Sequence, residues 1–189
     1  MEKTIVIAED EPITRMDICE ILEEAGYKVV GKASDGFDAI ELCRKFNPDL
    51  VLMDIKMPLL NGLKATKVIK EENLAKCVVL LTAYSTKEFI ESAKQMGVMG
   101  YVVKPINERT LLPSIEVAIS KSEEIEKMKK EAEESKEKLS NRKLIEKAKG
   151  ILIKDGMTEE EAYNKIRKIS MDKRCPMKNV AEAIIINNS

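Results

Sequence analysis

Five short, almost uninterrupted apolar runs constrain this chain more than any other feature: KTIVIA at 3–8, YKVVGKA at 27–33, LVLMD at 50–54, CVVLLTA at 77–83 and YVVK at 101–104. A strand with one wet face alternates apolar and polar residues. A run that is apolar at nearly every position needs cover on both faces, as strands of a parallel sheet have. The intervening segments carry helical spacing. Ile13, Met16, Ile21 and Leu22 lead to Gly26; Ala39, Ile40 and Cys43 lead to Pro48; Leu63, Val68 and Ile69 follow Gly62; Phe89, Ile90, Ala93 and Met96 lead to Gly97. A last helix is expected after Pro105. Strands alternating with helices over the first 120 residues predict an α/β unit, a five-stranded parallel sheet with its ligands at the carboxyl ends of the strands.

Those ends are where the polar chemistry falls. The first run stops at Glu9-Asp10, the third at Asp54, the fourth at Thr82 and the fifth at Lys104-Pro105. Carboxylates gathered on one rim repel and call for a cation, and an all-oxygen site suits Mg²⁺. A central carboxylate beside a metal and an ammonium can attack phosphorus, with both cations offsetting charge on the phosphoryl oxygens. Asp10 alone would be read as a helix cap. Five polar residues at correlated strand ends are better explained by a shared site.

Composition narrows the options. The 189 residues contain no histidine, which excludes a histidine base, a histidine metal ligand and a Ser-His-Asp triad. Four scattered cysteines, without a C-x-x-C pair, suggest neither zinc nor a disulfide framework and fit a reducing compartment. No signal peptide or membrane-length apolar stretch is apparent, so a soluble cytoplasmic protein is expected. The net charge of −1 hides an asymmetry: residues 141–189 hold 11 Lys/Arg against 7 Asp/Glu, and the first 140 hold 21 against 26.

The motifs AEDEP, VLMDIKMPLLNG, LLTAYS and YVVKP, in this order and spacing, resemble a two-component receiver domain of flavodoxin-like fold, here over residues 1–120. The resemblance implies that Asp54 is the phosphoacceptor and that Asp10, Asp54 and the backbone carbonyl of Lys56 hold Mg²⁺, with Glu9 acting largely through water. It implies a phosphoryl partner in Lys104, a cis Lys104–Pro105 peptide, and a switch in which Thr82 moves toward the phosphate and Tyr101 turns inward. Lys56 and Tyr84 would tune the phosphate's lifetime by controlling water access. A receiver is no enzyme toward a separate substrate; it catalyses only its own phosphoryl transfer from a histidine kinase. A haloacid-dehalogenase-type phosphatase would want a second aspartate two residues after the nucleophile, where this chain has Lys56.

Residues 121–140 form a connector without glycine or proline, rich in Glu/Lys pairs four apart, so a continuous helix is expected. A heptad can be drawn with Ala118, Ile125, Ala132 and Leu139 at a and Lys121, Met128, Ser135 and Arg142 at d. This weak seam leaves two readings open, a solvated spacer or a coiled coil that pairs only when receivers pair. Residues 141–189 predict three helices. The first runs to Lys154. The second starts at Thr158 with a T-E-E-E capping box and turns Ala162, Tyr163, Ile166 and Ile169 inward, and the third starts near Pro176 with Val180, Ala183, Ile184 and Ile185.

This tail, through IEKAKGILI, EEEAY and MDKR followed by VA, resembles the ANTAR domain, an RNA-binding antitermination module of some bacterial response regulators. The whole chain is most similar to the ethanolamine-utilisation antiterminator regulators. The resemblance implies binding to paired hairpins in a nascent leader mRNA, a sensor histidine kinase as partner and a homodimer formed on phosphorylation. Candidate RNA contacts are Arg142, Lys143, Lys147, Lys149, Lys154, Arg167 and Arg174, with Gly150 as a place where RNA could approach the backbone. A mid-helix glycine costs about 1 kcal/mol relative to alanine, so close helix packing is the other explanation for Gly150. A DNA-binding helix-turn-helix and a dimerising interaction module are the rival readings of the tail. KDGMTEEE crowds acids where a DNA-recognition helix would begin, and an interaction module has no need of lysines around Gly150.

Overall fold

The computed structural model describes residues 2–83 and 97–188; the helix expected over Phe89–Met96, and Tyr84, lie outside them. Five strands, β1 (Thr4–Ala8), β2 (Lys28–Ala33), β3 (Leu50–Asp54), β4 (Cys77–Thr82) and β5 (Gly100–Val103), form one parallel sheet in the order β2-β1-β3-β4-β5. Helices α1 (Pro12–Glu24), α2 (Gly36–Phe46) and α3 (Gly62–Glu71) connect them, and α4 (Glu108–Lys154) follows β5. Alternation along each strand explains the continuous apolar runs. Ile5, Ile7, Leu50, Leu52, Val79 and Leu81 pack on one side with Ile18 and Leu22 of α1 and Leu111 and Ile115 of α4. Val6, Val51, Met53, Val78 and Leu80 pack on the other with Ile40 of α2 and Ile69 of α3. Strand order reverses direction between β1 and β3, so a crevice opens where these two strands end.

Local chemistry sets the element ends. Asp35 caps α2 by accepting from the backbone N–H groups of Phe37 at 2.8 Å and Asp38 at 3.1 Å. Asn47 ends that helix in the left-handed conformation. Asp49, just before β3, accepts from the N–H and hydroxyl of Thr4 at 2.8 and 2.9 Å and from Lys76 Nζ at 2.7 Å, tying together the starts of three strands. Burial would raise the pKa of this carboxyl, but the Lys76 and Thr4 hydrogen bonds outweigh it and hold it at about 2. Its folded value lies below its unfolded one. Its stabilisation is therefore complete above about pH 4 and disappears as pH falls toward 2. Asp49→Asn should lose about 1–2 kcal/mol near neutrality after allowance for solvent screening, with the deficit vanishing in acid, as urea unfolding at several pH values would record.

Helix α4 runs 47 residues without a break, passing through both expected boundaries at 120 and 140. The compact units are residues 1–126 and 127–189. Within the first, Leu111, Ile115, Ala118 and Ile119 of α4 pack on the sheet, and Ser122 Oγ donates to the carbonyl of Lys76 at 3.1 Å. Ala118 is thus occupied inside the receiver unit, whereas Ile125, Met128 and Leu139 of the heptad are exposed.

In the second unit the end of α4 joins α5 (Glu159–Lys173) and α6 (Met177–Asn187) around Ala148, Leu152, Ala162, Ile166, Val180 and Ala181. The α4 end is a Schellman motif: Gly156, at φ 99°, donates to Ile153, and Met157 donates to Leu152. Thr158 and Glu161 make the expected capping box at the start of α5. One inward assignment fails: Tyr163 is 41 % exposed. On α6, Ala181 takes the core position beside Val180, and Ala183 is exposed. Ala162, Ile166 and Ile169 define the buried stripe of α5, and Tyr163 lies about 100° around the helix from Ala162. Lys178 on α6 pairs with Glu137 of α4 at 2.8 Å.

Candidate functional site: an acidic rim and a basic helical surface

The crevice where β1 and β3 end brings the predicted polar residues together. Carboxylate oxygens of Glu9, Asp10 and Asp54 lie within 4.8 Å of one another. Glu9 is fully buried, Asp54 nearly so, and Asp10 is exposed at the mouth. Lys104, delivered by β5 and followed by a cis peptide to Pro105, reaches Asp54 Oδ2 at 2.7 Å and straddles the Glu9 carboxylate at 3.0 Å from Oε1 and 2.7 Å from Oε2. Burial raises the pKa of Glu9; the Lys104 hydrogen bond opposes this, Asp54's charge adds to the rise, and the net shift is upward. Burial pushes Lys104 down, but its bonds to Asp54 and Glu9 prevail and raise it, so it stays an ammonium.

The donor set fits a hard divalent cation. Glu9 Oε2 is buried, with the Lys104 ammonium beside it but no aligned hydrogen bond among the described residues, and the three clustered carboxylates bring more negative charge than one lysine neutralises. Lys56 follows Asp54 with its N–H 3.3 Å from Asp54 Oδ1. Thr82 is buried at the end of β4, opposite Val103 in register, and its carbonyl accepts from the Lys104 N–H at 2.8 Å. Tyr101 on β5 is exposed.

Arg15 is a site residue that sequence reasoning missed. Its Nη1 donates to the carbonyls of Glu9 at 2.5 Å and Asp10 at 3.5 Å, bracing the loop that carries two acids. The signal was a cation on the first turns of a helix just after the acid pair. Gly62 was read only as the start of a helix. Its N–H donates to the Ile55 carbonyl at 3.0 Å, and a Cβ there would lie 1.9 Å from the Asp54 carbonyl oxygen.

On the second unit Arg142, Lys143, Lys147, Lys154, Arg167 and Arg174 are exposed, and Arg174 ends α5 in the left-handed conformation. Lys149 stands apart from this group. It is 7 % exposed, and its ammonium sits 3.1 Å from Glu146 Oε1 and 2.8 Å from Glu159 Oε1, clipping α4 to the start of α5. Lys149 is therefore a structural ion pair in this protein and not one of the free charges on the surface. Hydrogen bonds from Lys149 also hold the pKa of Glu159 down, keeping it ionised. Gly150 is exposed, and among the described residues a Cβ there would meet nothing within 4 Å, so close packing against them is not its reason. Gly150→Ala should accordingly stabilise the second unit by about 1 kcal/mol in thermal or urea unfolding.

This geometry is that of a receiver, and the comparisons agree. The response regulator receiver domain family matches residues 5–116 and the ANTAR domain family matches residues 133–185. The transcriptional regulatory protein PdtaR of Mycobacterium tuberculosis is 44% identical over 184 residues, covering 97% of this chain and 89% of that protein. The chemotaxis protein CheY of Bacillus subtilis is 34% identical over 115 residues, 61% of this chain and 96% of that one. Among solved structures, Vibrio cholerae CheY4 superposes with a TM-score of 0.59 at 27% identity, covering 62% of this chain and 99% of that one. The chain belongs to the response regulator receiver family. More particularly, it is a response regulator with a C-terminal ANTAR domain, the RNA-binding antitermination class. Among the described residues no helix is long and apolar enough to cross a membrane.

Proposed function

We propose that this protein is a phosphorylation-activated antiterminator that binds paired hairpins in a nascent leader mRNA. The observation that carries the reading is the union, on one chain, of the Lys104–Asp54–Glu9 phosphoacceptor rim with an ANTAR unit whose surface holds six exposed basic residues from the candidate set. An Asp54 oxygen attacks phosphorus of a phosphohistidine on a sensor kinase, the P–N bond breaks, and Lys104 steadies charge on the phosphoryl oxygens. Glu9, Asp10, Asp54 and the Lys56 carbonyl are the groups to hold Mg²⁺, which when bound would offset the charge of the carboxylates and the incoming phosphoryl group. No separate substrate is turned over.

Phosphorylation adds negative charge and acceptor oxygens beside Lys104 and Thr82. The rearranged receiver surface then favours pairing of two copies, supported by the exposed Ile125, Met128 and Leu139 on α4. Pairing presents two ANTAR units to two hairpins. Arg142, Lys143, Lys147, Lys154, Arg167 and Arg174 neutralise phosphates, and Gly150 admits RNA close to the helix backbone. Gly150→Ala, though more stable, should therefore bind RNA less tightly.

The test is filter binding of the phosphorylated protein to a two-hairpin RNA and to duplex DNA of equal length, over a salt series. Preference for the RNA, with affinity falling steeply as salt rises, is the expected outcome. Equal or tighter binding to the duplex DNA would overturn the proposal in favour of a DNA-binding regulator.

A further inference from the structure

Tyr163 is the only aromatic residue between Lys104 and the end of the chain, and it is 41 % exposed on a helix whose buried stripe it does not join. Glu159, Tyr163 and Arg167 stand four residues apart on α5, so they share one side of that helix. Glu159 is the residue that Lys149 reaches from α4 at 2.8 Å, which fixes that side as the one turned toward Lys149 and Glu146. A ring, a carboxylate and a guanidinium thus line one edge of the α4–α5 pair. The carboxylate is anchored: its Oε1 takes the buried Lys149 ammonium, while its side chain is 75% exposed. An ionised carboxylate has about four acceptor positions, so it can still accept hydrogen bonds from a ligand.

Phosphate backbone does not account for this edge. Glu146 and Glu159 give it two acids, and carboxylates repel phosphate. An exposed ring beside a fixed acceptor suits the other half of a nucleotide: a π-face to stack, and an edge bearing N–H donors to read. We propose that Tyr163 and Glu159 form a seat for one unpaired base of the hairpin loop, Tyr163 stacking on the base and Glu159 accepting from its N–H edge. Arg167, one turn on, holds the adjoining phosphate. This rests on the RNA-binding reading above and adds to it a division of labour. The lysines and arginines supply affinity that salt weakens; Tyr163 and Glu159 supply loop recognition that salt leaves nearly untouched.

The test takes the full-length protein with an acyl-phosphate mimic and an RNA selected by the wild type from two-hairpin molecules with randomised loops. The same RNA is then made with abasic loops. The wild type should prefer the intact loops by roughly ten- to a hundredfold. Tyr163→Ala should lose that preference while keeping the wild-type slope of affinity against salt. Tyr163→Phe, which retains the ring, should keep most of the preference. Arg167→Ala should instead flatten the slope by about one phosphate contact. Tyr163→Ala that still prefers intact loops, or a wild type indifferent to abasic loops, overturns the base seat and leaves RNA binding standing. A wild type that selects no RNA from the pool and binds duplex DNA overturns both.

Discussion

Gly62→Ala should unfold or severely loosen the receiver unit, costing about 3 kcal/mol or more, although alanine favours helices and Gly62 opens one. The new methyl would stand 1.9 Å from the Asp54 carbonyl oxygen, 2.9 Å from the Asp54 carbonyl carbon and 2.9 Å from Met53 Cγ. The first two belong to backbone in the middle of the sheet and have no rotamer to change. Either β3 or the start of α3 must move, and the Gly62 hydrogen bond to Ile55 at 3.0 Å breaks with it. Because β3 carries Asp54, phosphoryl uptake should fall with stability. Urea unfolding and phosphoryl incorporation measured together would check this; an alanine variant as stable as the wild type would mean that α3 does not start so close to β3.

Asp54→Ala should abolish phosphoryl uptake while leaving the fold intact. The Lys104 ammonium keeps its hydrogen bond to Glu9 at 3.0 Å, so no buried cation is orphaned. Removing one of two carboxylates that share this lysine also relieves repulsion, and stability should change by no more than about 1 kcal/mol. Acid-stable or residual phosphorylation in this variant would point to another acceptor. A collapse in stability would mean that Asp54 serves the fold as well as the chemistry.

The sheet was legible because its central strands β1, β3 and β4 are covered on both faces, so their composition alone distinguishes them from a helix stripe or a wet-faced strand. The acid rim was legible for a related reason: strand ends are marked by the abrupt appearance of charge after an apolar run. What failed depended on angles around a helix or on partners brought in by tertiary packing. Tyr163 is adjacent to Ala162 in sequence, but a residue's neighbour sits about 100° away around the helix, outside the stripe that Ala162 shares with Ile166 and Ile169. Lys149 read as one more cation among several because its partner Glu159 lies beyond a turn, and only the Schellman closure at Gly156 brings that acid back. The unbroken α4 follows from the sequence itself, since nothing between Pro113 and Gly150 interrupts a helix.

The most direct test of the account is the affinity of the full-length protein for a two-hairpin RNA, measured with and without a small-molecule phosphodonor and Mg²⁺, for the wild type and for Asp54→Ala. The account predicts that the phosphodonor tightens wild-type binding at least about tenfold, a coupling of ~1.4 kcal/mol, and does nothing to the variant. Wild-type binding that ignores the phosphodonor, or a variant that responds to it as the wild type does, would contradict the claim that Asp54 controls the RNA-binding unit.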